Sequence, residues 1–291
     1  MKQIVLVAKT TYKKMMTSKA MWFTMLFPVI ILGVGYFLSV SGIDVFTMNT
    51  NNINMPKDVV DGIYKAIQVF MSVIFYLIVL TYSNVVAVEM AKDKGSKLLE
   101  FTFSSIKAEK YFIGKLIGVI CVLFTNLLIW IVAISALIMS NGIFKSLLSY
   151  LAFDKIFIYL LFFILGVILY LVIAAMLGVM VVNVEDANKA ASPIVLICVV
   201  GYIVSFMDLG NLWNKVLSIV PFTSPFAIPK EIFSQNSDIL VIILSLVVML
   251  VFTILTTILT GKLYKKLALN YSKVTGFLGK ISSAFFGKKK L

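Results

Sequence analysis

The sequence predicts an all-α integral membrane fold, and three observations carry that expectation. Of 291 residues, 61% are hydrophobic and 13% charged, against roughly 45–50% and about 25% in soluble domains. The mean hydropathy is +1.04, more apolar surface than a water-soluble fold could hide. The apolar residues also fall in long uncharged runs without strand-like alternation. A helix of about 20 such residues crosses roughly 30 Å of hydrocarbon with every backbone group bonded internally.

Taken in order, residues 1–19 carry Lys2, Lys9, Lys13, Lys14 and Lys19 and read as a cytoplasmic, amphipathic N-terminal segment. The uncharged stretch Ala20–Ser39 follows. It is too long for the apolar core of a secretory signal, and Ser39 and Ser41 make a poor cleavage site, so it is expected to be an uncleaved first span. Five more uncharged stretches, Ala66–Val88, Leu116–Phe144, Ile156–Val184, Ala190–Met207 and Ile239–Gly261, complete a six-helix transmembrane domain over residues 20–266. Between the first two, Gly42–Gly62 is polar, with Asn49, Asn51, Asn52 and Asn54 before Pro56, and reads as a short outer loop.

The fifth stretch is short, and Pro221, Pro225 and Pro229 follow it at a spacing that forbids one continuous helix. Leu212–Phe233 is therefore expected to form one or two short re-entrant helices, around Pro221, Ser224, Pro225 and Pro229, dipping into the outer leaflet. Residues 267–291 form a basic tail. Val274, Phe277, Leu278, Ile281 and Phe285 recur there at helical spacing among Lys273, Lys280 and Lys288–Lys290, the pattern of an interfacial amphipathic helix that binds anionic lipids.

The net charge of +13 comes wholly from 26 lysines, with no arginine. With the N-terminus in the cytoplasm, the inner segments hold twenty lysines and the outer ones six, so the positive-inside rule places both termini inside. No continuous basic stripe is present, which excludes nucleic acid as a partner. There is no histidine, and Cys121 and Cys198 each stand alone in an apolar stretch. Disulfide frameworks, zinc or other metal sites and histidine-activated nucleophiles are excluded, so no catalytic residues are assigned. The six stretches contain no Asp, Glu or His, which argues against coupling to an ion gradient and against an intramembrane enzyme. Their polar residues, Tyr82, Ser83, Asn84, Thr125, Asn126 and Tyr202, read as interhelical hydrogen-bonding groups. Gly114 and Gly118 form a small-xxx-small pair suited to close helix or dimer packing.

The most informative segment is the inner loop 89–115. Its apolar set Leu98, Leu99, Phe101 and Phe103 lies among alternating charges, which predicts a short surface helix suited to a groove on a cytosolic partner. Glu89 ends the second span, Asp93-Lys94-Gly95-Ser96 follows, then Glu100, Ser104-Ser105, and Gly114-Lys115 opening the third span. With Phe27-Pro28 and the Pro221-Phe-Thr-Ser-Pro225 run before Pro229, this pattern resembles the type-2 ABC transporter permeases from the N-terminus to about Lys266. The sodium-efflux branch is the nearest.

That resemblance implies a permease, homodimeric or paired with a similar chain, that binds a cytosolic ABC ATPase subunit through its inner loop. Glu89, Asp93, Lys94, Gly95, Glu100, Ser104 and Ser105 would be the ATPase-coupling residues; the alternative role for the two glutamates is capping and local pairing with Lys92, Lys94 or Lys97. ATP and Mg would bind the partner, because Gly114-Lys115, Gly261-Lys262, Gly279-Lys280 and Gly287-Lys288 all lack the glycine and hydroxyl of a phosphate loop. The short Gly42–Gly62 loop departs from the sodium-efflux branch, which carries a large extracellular domain there. The expected function is thus a non-enzymatic permease subunit of an ATP-driven exporter in the bacterial plasma membrane. It would move a hydrophobic or amphiphilic substrate such as an antimicrobial peptide. Sodium efflux and a stand-alone immunity protein without turnover are the alternatives.

Overall fold

The computed structural model of the chain describes residues 2–19, 21–22, 25–26, 29–30, 57–140, 153–207, 209–234 and 237–270. Most of the expected first span Ala20–Ser39, the polar loop as far as Pro56, Phe27-Pro28 and the tail beyond Asn270 lie outside these residues. The described residues form α1 (Lys2–Met16), α2 (Lys57–Gly95), α3 (Leu98–Ser105), α4 (Ala108–Ser140), α5 (Phe153–Val179), α6 (Val184–Ala190), α7 (Ser192–Phe206), α8 (Asn211–Ile219), α9 (Ser224–Phe233) and α10 (Ile239–Ala268), with no strand among them.

Five helical stretches are long and apolar enough to cross a membrane: Gln68–Gly95, Ala108–Ala133, Asp154–Val179, Val184–Ile203 and Ile239–Ala268. Each overlaps one of the expected second to sixth spans. The helices overrun the uncharged stretches at their charged ends: α2 begins at Lys57, inside the expected outer loop, and α10 continues to Ala268. Charge excludes a residue from hydrocarbon but not from a helix, so uncharged runs mark the apolar window and not the helix ends.

The helices pack around a central α2–α5 pair. Phe75 and Tyr82 of α2 and Phe162 and Tyr170 of α5 are fully buried there. Helix α7 covers α2, α10 covers α5 and reaches α4, and α1 lies along the far side of α4. The α1–α4 contact is backbone-close because Gly114 and Gly118 face it. A Cβ on Gly114 would stand 2.7 Å from the Val7 Cβ, and one on Gly118 the same distance from the Thr11 Cβ. Helix α10 leaves Leu240, Ile243, Val247, Ile254 and Leu255 exposed on its outer side, as lipid contact requires.

The segment after α7 forms two short helices, broken at Val220–Thr223. The first, α8, is amphipathic, with Leu212 and Trp213 exposed; in the second, α9, almost every side chain is buried. Pro221 lies in the break and Pro225 in the first turn of α9, where a missing N–H costs nothing. Pro229, counted with these as helix-breaking, instead sits inside α9. Tertiary packing overrides the local penalty, since Phe226, Ile228 and Ile232 around it are at most 1% exposed.

Candidate functional site

The last two turns of α2 gather charged side chains from two other helices and backbone carbonyls from two more. Glu89 and Asp93 are four residues apart and so share one face of α2. Lys115 of α4 reaches both, with Nζ 2.5 Å from Asp93 Oδ2 and 3.4 Å from Glu89 Oε2. Lys14 of α1 donates to Glu89 at 2.7 Å, and the Tyr111 hydroxyl donates to Asp93 at 2.6 Å. Asp93 and Lys115 are each 6% exposed. Charges this buried persist only when paired and hydrogen-bonded, and two acids against two bases leave the cluster neutral. Burial of Lys14 disfavours its charge, but the bond to Glu89 and the fields of Glu89 and Asp93 outweigh that and raise its pKa above the ordinary lysine value.

Lys94, the next residue, points elsewhere. It is 1% exposed, and its Nζ donates to Val179 O at 2.7 Å and to Leu267 O at 2.9 Å. These carbonyls belong to the last turns of α5 and α10, where unpaired acceptors and the negative end of the helix dipole favour a cation. Gly95 closes α2 because a Cβ there would lie 2.6 Å from Val182 O, too close for any other residue. Helices α1, α2, α4, α5 and α10 thus meet at residues 89–95.

The chain then turns through Lys97, in left-handed conformation at φ 55°, into α3. Leu99 is fully buried, and Phe103 packs edge-on against Tyr111 and Tyr264 with ring centroids 6.0 and 6.1 Å apart. Those anchors hold the opposite face outward: Phe101 is 78% exposed, and Glu100, Ser104 and Ser105 are exposed beside it. Gln3 of α1 donates to Ser105 O at 3.3 Å. A polar cleft of about 500 Å³ lies alongside, where Ser104, Lys107 and Glu109 face Lys262 and Lys265 of α10.

The seven residues expected to couple therefore divide. Asp93 and Lys94 are turned into the bundle, Glu89 lies at its edge, Gly95 is exposed where α2 ends, and Glu100, Ser104 and Ser105 stand on the outer surface of α3. Glu89 forms its ion pairs with Lys14 and Lys115, while Lys92, one of the lysines weighed for local pairing, adds only its field. Lys115 could have been found as a lysine opening an apolar run opposite two acids at i and i+4; Lys14, 75 residues from Glu89, carries no such signal.

At the opposite end of the bundle, α9 is wedged among α2, α5 and α7. Phe226 meets Phe75 edge-on at 4.9 Å. Gly166 and Gly201 make room for it, since a Cβ would stand 2.7 Å from Pro225 Cγ and 2.5 Å from Phe226 Cδ2. Ser72 Oγ donates to Phe226 O at 3.2 Å and Tyr170 to Phe222 O at 2.7 Å. Ser224 Oγ is buried without a partner among the described residues. Lys215 of α8 donates to Asp238 at 2.8 Å, and Asp238 caps α10 by accepting from Leu240 N. Glu231 lies behind this pair, 9% exposed. Burial raises its pKa, Lys215 opposes that and Asp238 adds to it.

Polar contacts between helices include Asn126 donating to the Tyr82 hydroxyl at 3.2 Å, Gln68 to Ser205 O at 3.2 Å and Tyr159 to Met71 O at 3.1 Å, and the Tyr12 and Thr125 hydroxyls are 3.2 Å apart. No group of three metal-ligating side chains occurs among the described residues. The arrangement suits transmission of movement between helices and binding at the α3 surface. Residues 45–262 match the family model described as "ABC-2 family transporter protein". An uncharacterized protein of Bacillus subtilis, YhaP, is 30% identical over 167 residues, which is 53% of this chain and 40% of that one. An uncharacterized protein of Methanocaldococcus jannaschii, MJ1024, is 27% identical over 177 residues, 59% of this chain and 42% of that one. The aligned part thus spans well under half the length of these relatives.

Proposed function

The chain belongs to the ABC-2 family of transporter proteins, and on that premise we propose that it is the multi-pass membrane subunit of an ATP-driven exporter. In this reading it pairs with itself or a similar permease chain and is driven by a separate cytosolic ABC ATPase that binds ATP and Mg. Its termini face the cytoplasm of a bacterial cell, and its substrate is hydrophobic or amphiphilic, such as an antimicrobial peptide.

One observation supports the partner most directly: α3 holds Phe101 78% exposed on a helix whose other face is fixed by Leu99 and Phe103. A large aromatic held out on a rigid, short helix is the kind of anchor on which protein interfaces concentrate their energy. Beneath it, residues 89–95 join five helix ends, so a push on α3 reaches most of the bundle. The substrate class rests on the uncharged middles of the spans, which offer an amphiphile no charge to displace.

Native-host co-purification in mild detergent tests the reading. Wild-type chain is expected to recover an ABC ATPase, and Phe101→Asp to lose it while keeping the wild-type melting temperature, because the side chain is solvent-facing. Failure of the wild type to recover an ATPase, or full retention by Phe101→Asp, would overturn it.

A further inference from the structure

We propose that the groove between α1 and the first turns of α4 is a binding site for an anionic phospholipid. One acyl chain lies in the groove and the phosphate is held by lysines of α1. This inference does not rest on the transport reading.

Where Gly114 and Gly118 bring α1 and α4 backbone to backbone, a trough opens on one flank of the contact. Val5, Ala8, Lys9 and Tyr12 form its α1 wall, and Ile117 and Cys121 its α4 wall. Positions 5, 8, 9 and 12 are spaced to line one helix face. The trough holds about 400 Å³ and presents only apolar surface, within the roughly 300–1,000 Å³ of small-molecule pockets. Lys9 is exposed and adds its methylenes to the wall, leaving the ammonium to emerge at the rim.

Charge decides which occupant fits. No acidic residue occurs before Asp44. Lys14 is engaged with Glu89, whereas Lys2, Lys9 and Lys13 are exposed and make no ion pair among the described residues. An apolar trough under an unneutralised cationic rim complements a molecule with a hydrocarbon chain and an anionic head. A zwitterionic lipid satisfies the trough alone, and an acidic peptide the rim alone. The rim is also fixed in place, because α1 is tied by Lys14 to Glu89 and by Gln3 to Ser105 O.

Cys121 is an exposed native thiol in this wall, whereas Cys198 is buried. The full chain in detergent is mixed with phosphatidylglycerol or with phosphatidylcholine of the same acyl chains, and alkylation of Cys121 by N-ethylmaleimide is timed. Phosphatidylglycerol is expected to slow the reaction at concentrations where phosphatidylcholine does not. Lys9→Gln is expected to raise the half-protecting concentration about fivefold, the contribution of one lysine near a charged surface, and Lys189→Gln on α6 to leave it unchanged. If detergent alone shields Cys121, retained lipids are counted on the intact chain by native mass spectrometry. Equal protection or retention with the two lipids, an unaltered Lys9→Gln, or no lipid bound would each overturn the proposal.

Discussion

The two ends of the bundle are held by different forces. At the end built on residues 89–95, Lys14, Glu89, Asp93, Lys94 and Lys115 join five helices through ion pairs and charge-assisted bonds to carbonyls. At the opposite end, α9 is locked by Phe226, Pro225 and two glycines against Phe75 and its neighbours. Ionic ties are directional and long-reaching, so partners can be exchanged when helices shift. Interlocked rings and backbone contacts either fit or do not. The 89–95 end is thus held by charge and the α9 end by packing.

That contrast is sharpest in what a single truncation leaves behind. Lys115→Met strands Asp93 as a buried charge without its direct ion pair, leaving the Tyr111 hydroxyl and the weaker field of Lys14, and is expected to cost about 3–5 kcal/mol in detergent unfolding. Adding Asp93→Asn to it should restore most of the loss, because the stranded charge and not the missing bond is the main penalty. If the double variant were no better than the single, packing would hold the 89–95 end as well.

Phe226→Ala leaves a cavity in place of a charge, at a cost of about 3 kcal/mol. No second polar change should rescue it, whereas a larger residue at Gly201 should recover part of the loss by filling the same space. Gly114→Leu drives α1 away from α4 and is expected to cost about 1–3 kcal/mol by overpacking. It should also speed proteolysis within α1, which limited digestion with mass readout will show.

The smallest effect concerns pH at the α9 end. The fold holds the Glu231 carboxyl above its ordinary value of 4.5, so its protonated form is favoured in the folded state. Its contribution is fully present below that ordinary value and is lost as pH rises through the raised one. Wild-type melting temperature should therefore fall relative to Glu231→Gln as pH rises across that window; parallel curves would remove Glu231 from the account.

Much of the architecture was legible because hydrocarbon imposes a one-dimensional rule: uncharged runs of sufficient length are spans. The Pro221–Pro225 break and the short helix at residues 98–105 were legible for the same local reason, turn chemistry and apolar spacing. The chemistry of 89–95 was only half legible. Its acids were visible, but a run of alternating charges reads as solvated, and nothing local shows that Asp93 and Lys94 turn inward while Glu100 turns out. Their partners sit at Lys14, Lys115, Val179 and Leu267, set by tertiary contacts that one sequence does not display. Pro229 was misread for a related reason: a local penalty was weighed without the packing that offsets it.

The Lys94 clamp has a consequence for how the chain is made. Its acceptors lie 85 and 173 residues downstream. At about 5–20 residues per second, the second acceptor leaves the ribosome on the order of 10–30 s after Lys94 does. Throughout that interval Lys94 can meet the Val179 carbonyl but not that of Leu267, so this pair of bonds is half made until α10 is in place. Chains truncated before Leu267 should hold α2 to α5 at this point but not to α10.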